Sequence, residues 1–184
     1  MTILDSLAGG LGVSDRSLRR AVERGTIRAR RLSPRRIELS FAERHYVETH
    51  WKLLSKLLSL LRTRHNVRLA VVYGSVARGD DRPGSDLDLL VSFAHEEAHT
   101  AASLAAALSG ETGRRVQVIS LAAARRTPLL LLDVLREGRV LVDRDDQWRG
   151  LTRRERQIQQ NAAAAEATLD RRIAELAELV GAGP

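Results

Sequence analysis

The sequence predicts an α+β protein in which a helical N-terminal unit precedes a mixed sheet with flanking helices, and a long helix follows the sheet. The first observation is a series of short apolar runs in the middle of the chain that alternate with helical stretches. The second is a helix, a Gly-containing turn and a second helix near the N-terminus. The third is a charged, Ala-rich segment over 151–180 whose apolar residues recur at helical spacing.

The first 39 residues are predicted to form a small domain of two helices and a hairpin. A short helix over 2–8 is expected to stop at Gly9 and Gly10, and Ser14 caps a second helix over 15–24 that Gly25 ends. Two β-type runs, 27–32 and 37–39, flank a polar Ser-Pro-Arg-Arg tip and predict a hairpin. This layout resembles a winged helix-turn-helix.

Basic charge is concentrated in the N-terminal third of the chain. Residues 1–64 carry 14 Lys and Arg against 6 Asp and Glu, whereas the whole chain has a net charge of +7. This excess favours a polyanion, and we expect double-stranded DNA as the partner. The candidate DNA-binding residues lie on the second helix and at the hairpin tip: Arg16, Ser17, Arg19, Arg20, Arg35 and Arg36. The alternative is a small helical cap with a solvated, Arg-rich surface.

A connecting helix is predicted over 40–65, between the N-terminal unit and the sheet. Ser40 and Glu43 have the spacing of a capping box at its start. Its apolar stripe consists of Phe41, Val47, Trp51, Leu54, Leu57, Leu58 and Leu61. We expect this stripe to be core, because a helix that joins two units must pack on one of them.

The stretch 71–91 contains the residues that predict a functional site. An apolar strand ends at Gly74 and Ser75, a polar loop follows, and a second strand opens with Asp86 and Asp88. Alternate residues of a strand face the same side, so the two carboxylates project together and repel each other unless a cation lies between them. Oxygen ligands that share an ion with phosphate favour Mg²⁺. Gly74 and Ser75 offer backbone N–H groups and a hydroxyl to a phosphate. The alternative is a hairpin in which two aspartates merely begin a strand.

The pattern Gly74-Ser75-x-Ala77-Arg78-Gly79, followed by Ser85-Asp86-x-Asp88-Leu89, resembles the signature of the minimal nucleotidyltransferases of the DNA polymerase beta-type superfamily. The resemblance extends over about 67–143 and implies a nucleotidyltransferase-fold mixed sheet over 66–146. It also implies roles for particular residues. Gly74, Ser75, Arg78 and Ser85 would bind the nucleotide, ATP or another NTP, and Asp86 and Asp88 would be catalytic residues that bind Mg²⁺.

The superfamily uses a third acidic residue on a neighbouring strand, and the resemblance assigns that place to Gln117. A neutral amide cannot act as a general base and ligates a metal only weakly. Asp80, Asp81 and Asp133 are the alternative acids, and their spacing favours none of them.

The resemblance implies transfer of AMP from ATP to a hydroxyl of a protein or small molecule, as in toxin–antitoxin pairs with a protein partner. The rival interpretation is a DNA-binding transcriptional regulator whose transferase domain is degenerate and binds only a ligand or partner. Gln117 favours the regulator. The paired acids favour the enzyme, because carboxylates held together without a cation destabilise a fold.

A second motif, His95-Glu96-Glu97-Ala98-His99, fits the His-Glu-x-x-His pattern of zinc enzymes. The match is short, and Glu111 is the only nearby candidate for a third ligand. We therefore interpret the two histidines as solvated.

The remaining features bear on compartment and assembly. The absence of cysteine excludes disulfides, the apolar runs are too short to span a bilayer, and no secretory signal is evident, so we expect a cytoplasmic protein with no membrane partner. In the segment 147–184, one narrow seam comprises Ile158, Ala162, Ala165, Leu169, Ile173, Leu176 and Val180. We expect it to pack on the same chain or to pair with a second copy as a homodimer.

Overall fold

The computed structural model describes residues 3–33, 36–95, 97 and 99–181. The N-terminal unit contains α1 (Ile3–Leu11), α2 (Asp15–Arg24) and an antiparallel hairpin of β1 (Arg30–Arg31) and β2 (Ile37–Glu38). The Ser14 side chain accepts a hydrogen bond from the Ser17 N–H, and Gly25 ends α2 with a φ of 89°. Both predicted ends of the second helix are therefore confirmed.

Two predicted extents in this unit are wrong. α1 continues through Gly9 and Gly10 to Leu11, because burial of Leu4 and Leu7 outweighs the low helix propensity of glycine. The hairpin strands contain two residues each and are shorter than predicted. The predicted tip residues 34 and 35 lie outside the described residues.

α3 (Phe41–Arg62) joins the N-terminal unit to the sheet. Ser40 Oγ accepts from the Glu43 N–H at 3.1 Å, which confirms the N-cap. The Glu43 carboxylate lies at the buried interface and accepts from the Arg28 N–H at 2.8 Å, so its predicted capping-box role is wrong. Phe41 is 88% exposed. Each helical residue is rotated by about 100°, so Phe41 lies about 200° around the helix from the buried Glu43 and points away from the core. The predicted place of Phe41 in the core is therefore also wrong.

The central sheet has four strands in the order β5-β4-β3-β6. They are β3 (Val67–Tyr73), β4 (Leu87–Phe93), β5 (Val116–Ser120) and β6 (Arg139–Asp143). β3 pairs antiparallel with both β4 and β6, whereas β4 and β5 are parallel. The sheet is therefore mixed, as predicted.

Helices connect the strands: α4 (Gly74–Arg78), α5 (Thr100–Thr112), α6 (Leu121–Ala124) and α7 (Pro128–Glu137). α5 passes through Gly110 and ends at Gly113, which has a left-handed φ of 68°. α6 and α7 are separate helices, and Pro128 occupies the first turn of α7, where its missing N–H costs nothing.

Two apolar clusters cover the two faces of the sheet. One contains residues of α1, α2, α3 and α5, so the N-terminal unit and the sheet share a continuous core. The other contains residues of α6, α7 and the helices after β6. Those last helices are α8 (Gln147–Arg153) and α9 (Glu155–Gly181), so the predicted single helix over 151–180 is interrupted near Arg154.

The seam of α9 divides into a buried and an exposed part. Ile158 and Ala162 are buried in the second cluster. Leu169, Ile173 and Leu176 are 51%, 56% and 61% exposed. Within the described residues, none of the helices combines the length and apolarity that crossing a lipid bilayer requires.

A buried ion pair ties the N-terminal unit to the sheet. Arg139 of β6 is 2% exposed, and its Nη1 donates to Glu43 Oε1 at 2.6 Å. Its Nε donates to the Ala77 carbonyl at 2.6 Å, and its guanidinium carbon lies 3.4 Å from the Tyr46 ring centroid. The Arg139 side chain therefore holds α3, α4 and the sheet together. These contacts fix the position of α4, which directly follows β3.

Candidate active site

The site lies where β3 ends and α4 begins. Gly74 has a φ of 73°, and a Cβ on it would lie 2.7 Å from Asp88 Oδ2. An L-residue at this position would be strained and would collide with the carboxylate. Glycine therefore brings the backbone at the start of α4 directly against Asp88.

Asp86 and Asp88 stand at the start of β4 on the same side. Tyr73 is paired with Asp88 on one flank, and Gln117 of β5 is paired with Asp88 on the other. The predicted neighbourhood of Asp88 and Gln117 is therefore confirmed. Gln117 also contacts the other acid, since its Nε2 donates to Asp86 Oδ2 at 2.5 Å. Arg115 Nε lies 3.8 Å from the same oxygen.

Glu137, the last residue of α7, is part of the site, although the sequence analysis did not identify it. Its Oε1 accepts from the Gly74 N–H at 2.7 Å, and its Oε2 accepts from Arg78 Nη1 at 2.7 Å. Arg78 also contacts Asp80 at 3.1 Å. Two of the donors that the motif would offer to a phosphate are thus engaged by one internal carboxylate.

Gly138 fixes the position of Glu137. A Cβ at residue 138 would lie 2.3 Å from the Val134 carbonyl oxygen and 2.7 Å from Val71 Cγ1. The absence of that atom lets the end of α7 pack against β3. The sequence signal for this position is that Gly138 directly follows the helical Glu137. This signal does not predict the contact between Glu137 and Gly74, because the two residues are distant in the chain.

Negative charge accumulates in this corner and shifts the pKa values of its side chains. Burial raises the pKa of Asp88, and the neighbouring charges of Asp86 and Glu137 raise it further, against the opposing effect of Arg78. Burial and then Asp88 raise the pKa of Tyr73 to about 12. The hydrogen bond to Glu137 is the main cause of a raised pKa for Arg78. A cation placed between the aspartates would relieve this repulsion.

The two predicted serines have different surroundings. Ser75 is half-buried, and its carbonyl accepts from the Gly79 N–H at 2.8 Å, which closes α4. Ser85 Oγ accepts from the Arg82 N–H at 2.9 Å within the loop before β4. The Ser85 hydroxyl therefore supports the turn that presents the aspartates.

The donor set fits a Mg²⁺ ion that also takes phosphate oxygens, because such an ion needs only one or two carboxylates from the protein. Because residue 74 has no Cβ, Asp88 Oδ2 lies next to the backbone at the start of α4 and is not covered by a side chain of that residue. No group of three or more His, Cys, Asp or Glu side chains that could hold a metal occurs among the described residues. His95 and His99 are exposed, and residue 96 lies outside the described part of the chain.

The alternative acids do not complete the pair. Asp81 Oδ1 contacts His50 Nε2 at 2.7 Å, and its Oδ2 accepts from Arg114 Nη2 at 2.7 Å. Burial alone would raise the pKa of Asp81, but these hydrogen bonds outweigh it and lower the pKa. Asp80 contacts Arg78, and Asp133 is exposed on α7.

The predicted DNA-binding residues that the structure describes are on the surface of the N-terminal unit. Arg16, Ser17 and Arg20 are exposed on α2, and Arg36 is exposed beside β2. Arg19 is half-buried and forms an ion pair with Asp15 at 2.5 Å. Arg35 lies outside the described residues. Four of these side chains are therefore exposed, three on α2 and one beside β2, and the structure assigns them no ligand.

Comparisons with known proteins agree with this fold. A sequence model of the family described as polymerase beta, nucleotidyltransferase matches residues 55–147. No curated protein sequence matches the chain. A crystal structure of a toxin–antitoxin with AMP-PNP has a TM-score of 0.56 at 20% identity, covering 66% of this chain and 98% of the other.

Two further solved structures are similar. The toxin–antitoxin MntA–HepT has a TM-score of 0.53 at 18% identity, covering 67% of this chain and 98% of the other. A structure of a tri-AMPylated Shewanella oneidensis HEPN toxin in complex with MNT antitoxin has a TM-score of 0.54 at 18% identity, covering 68% and 99%. At these identities the likeness concerns the fold.

Proposed function

This chain belongs to the polymerase beta nucleotidyltransferase family, and we propose that it transfers AMP from ATP to a hydroxyl of a protein or small molecule in a Mg²⁺-dependent reaction. The observation that supports the proposal is the closeness of Gly74 to Asp88, which sets backbone N–H groups that could bind an anion next to a pair of carboxylates. That combination suits a triphosphate with a bound metal.

The reaction forms a bond between the acceptor oxygen and the α-phosphorus of ATP and breaks the bond from that phosphorus to the bridging oxygen of the β-phosphate. Pyrophosphate leaves with the electron pair, and the hydroxyl proton passes to a base or to water. When bound, Mg²⁺ would neutralise charge on the phosphates. Asp86 and Asp88 would hold it, while Gly74, Ser75 and Arg78 would orient the triphosphate.

Two contacts within the protein must change before this arrangement forms. The Glu137 carboxylate must leave the Gly74 N–H and Arg78, because a phosphate needs the same donors. The Gln117 amide must release Asp86 Oδ2 for that oxygen to reach a cation. Nucleotide binding is therefore coupled to two side-chain movements and needs no change in the sheet.

The acceptor class is suggested by the structural neighbours. Three of them are toxin–antitoxin structures, one crystallised with AMP-PNP and one containing a tri-AMPylated toxin. We infer that the chain acts in a similar pair, with a protein partner whose hydroxyl receives AMP.

The amide of Gln117 determines the rate of AMP transfer that we expect. An amide cannot accept the hydroxyl proton, so transfer should be slow in the natural protein and faster in Gln117→Asp. The experiment is incubation of each variant with α-labelled ATP, Mg²⁺ and a cell lysate. Label on a protein or metabolite with the natural chain, lost in the double variant Asp86→Ala/Asp88→Ala, supports the proposal. Label only with Gln117→Asp contradicts it and supports the regulator with a degenerate site.

A second candidate function is binding of double-stranded DNA, favoured by the exposed arginines of α2 and by Arg36. Each phosphate contact releases counterions, so the affinity should fall steeply with salt. Replacement of Arg19, Arg20, Arg35 and Arg36 by Gln should weaken a gel shift by at least tenfold. An unchanged shift contradicts this function.

The exposed part of the α9 seam supports a homodimer as a third element of the proposal. Leu169, Ile173 and Leu176 follow coiled-coil spacing and are more than half exposed. Ile173→Glu should convert a dimer to a monomer in analytical ultracentrifugation. A natural chain that is already monomeric at high concentration contradicts the assignment.

A further inference from the structure

A cavity of about 400 Å³ lies between α2 and the C-terminal half of α3 and shares no lining residue with the candidate active site. Three arginines line it: Arg20 and Arg24, one helical turn apart on α2, and Arg62 at the end of α3. The other polar residues of its wall include Ser17, Ser55 and Ser59, and no acidic residue lines it. The wall is therefore rich in hydrogen-bond donors and carries a net positive charge.

The three guanidinium groups have no acidic partner among the residues that the structure describes. Their neighbour Arg19 differs, since it is paired with Asp15. Burial lowers the pKa of Arg24, and the charges of Arg62 and Arg20 lower it further. Like charges held together in a partly buried place oppose folding unless a counterion joins them.

An independent feature of the same wall is an unsatisfied indole. Trp51 is 6% exposed and lines the cavity. Its Nε1 is buried and has no hydrogen-bond partner in the described structure. Buried donors are nearly always satisfied, so the unpaired indole N–H of a residue in this wall is a donor that a bound acceptor would satisfy.

We propose that this cavity binds a phosphate group through Arg20, Arg24 and Arg62, with hydroxyl donors of the wall and the Trp51 indole in support. Arginine is suited to this role, because its planar fork of donors matches two phosphate oxygens at once. The phosphate could belong to a DNA backbone or to a free phosphorylated ligand, which present the same chemistry. The site is independent of AMP transfer, and if its ligand is DNA it deepens the second candidate function.

The first test uses Trp51 as the reporter. The chain has two tryptophans, so Trp148→Phe leaves Trp51 as the only one. In that background, inorganic phosphate should change the emission saturably and raise the melting temperature. Arg24→Gln/Arg62→Gln should lose at least tenfold in phosphate affinity, equivalent to about 1.4 kcal/mol. Arg24→Lys/Arg62→Lys should retain part of the affinity, because charge remains while the forked geometry is lost. Arg171→Gln, on the exposed part of α9, is the control and should match the parent.

The second test identifies the source of the phosphate. If the ligand is DNA, the Gln double variant should weaken duplex binding and lower the slope of log affinity against log salt by about two, one for each arginine. If the ligand is a free phosphorylated compound, duplex binding is unchanged while binding of inorganic phosphate is lost in the same variant. Two results overturn the proposal. In the first, the parent and the Gln variant bind phosphate equally and bind DNA equally. In the second, phosphate has no saturable effect on the parent and the variant binds DNA as the parent does. Nucleotide transfer by Asp86 and Asp88 is measured separately, so its failure does not affect this result.

Discussion

Replacing Glu137 should make the protein bind ATP more tightly, although the substitution removes a residue of the candidate active site. The Glu137 carboxylate accepts from the Gly74 N–H and from Arg78, both at 2.7 Å, so it holds the donors that a triphosphate requires. In Glu137→Ala these donors are free before the nucleotide arrives. The variant therefore avoids the free energy that the natural protein spends on breaking the two contacts.

The magnitude follows from the exposure of the two contacts. The Arg78 side chain is 47% exposed, so solvent screens its ion pair with Glu137, and we leave that pair out of the magnitude. The Glu137 side chain is 17% exposed, and its bond to the Gly74 N–H is charge-assisted, which contributes about 1.5 kcal/mol at the lower end of the usual range. The release of the Gly74 N–H alone therefore predicts roughly a tenfold lower Kd for ATP, equivalent to about 1.5 kcal/mol.

The assay is titration calorimetry with Mg–ATP, tripolyphosphate and adenosine. Tighter binding should occur with the two phosphate compounds and not with adenosine. Asp80→Asn is the matched control, because it removes another negative partner of Arg78 without freeing the Gly74 N–H. Glu137→Gln keeps the size of the side chain and should show a smaller gain in affinity.

Three results would refute this reasoning. Equal gains for Asp80→Asn and Glu137→Ala would mean that general charge, rather than competition for donors, determines the affinity. Weaker ATP binding by Glu137→Ala would mean that the carboxylate organises the corner for the nucleotide. An absence of measurable ATP binding by Glu137→Ala would refute competition as well, since the freed donors should then be at their most accessible.

The remaining predictions concern the framework of the site. Gly74→Ala should lower the melting temperature and abolish ATP binding, whereas Gly84→Ala, at a φ of 89° with nothing within 4 Å, should show only the backbone strain of about 1–2 kcal/mol. Asp81→Asn should be less stable than the natural chain at neutral pH. The pKa of Asp81 is lower in the folded than in the unfolded protein, so its ionised carboxylate stabilises the fold above the unfolded pKa. This stabilisation is lost as the pH falls through the folded pKa, so the denaturant unfolding curves of the natural chain and Asp81→Asn should converge in acid. Glu43→Ala leaves the buried Arg139 charge unpaired and should cost about 3–5 kcal/mol in urea unfolding, and a cost below about 1 kcal/mol would contradict the importance of that pair.

Local signals predicted a large part of the fold. Ser14 and Gly25 mark the ends of α2 because capping depends on a few neighbouring residues. The alternation at Asp86 and Asp88 placed the two acids on one side of a strand, whereas the family resemblance assigned Gln117 to the neighbouring strand, where it is paired with Asp88. By contrast, α1 passes through two glycines because buried leucines stabilise it, and no local rule contains that packing energy.

The corner of Gly74, Asp86 and Asp88 is already encoded in the local sequence, because its spacing within two strands and one loop requires only backbone geometry. The residues that surround this corner depend on the packing of distant segments. Glu137 reaches Gly74 from 63 positions away, and Arg62 joins Arg20 and Arg24 from another helix. Contacts of this kind depend on how helices pack on a sheet. The hydrophobic effect that drives this packing is non-directional, so it does not specify from local sequence which distant residues meet. The sequence therefore predicted a phosphate site, and the fold supplied both its internal competitor and a candidate second site.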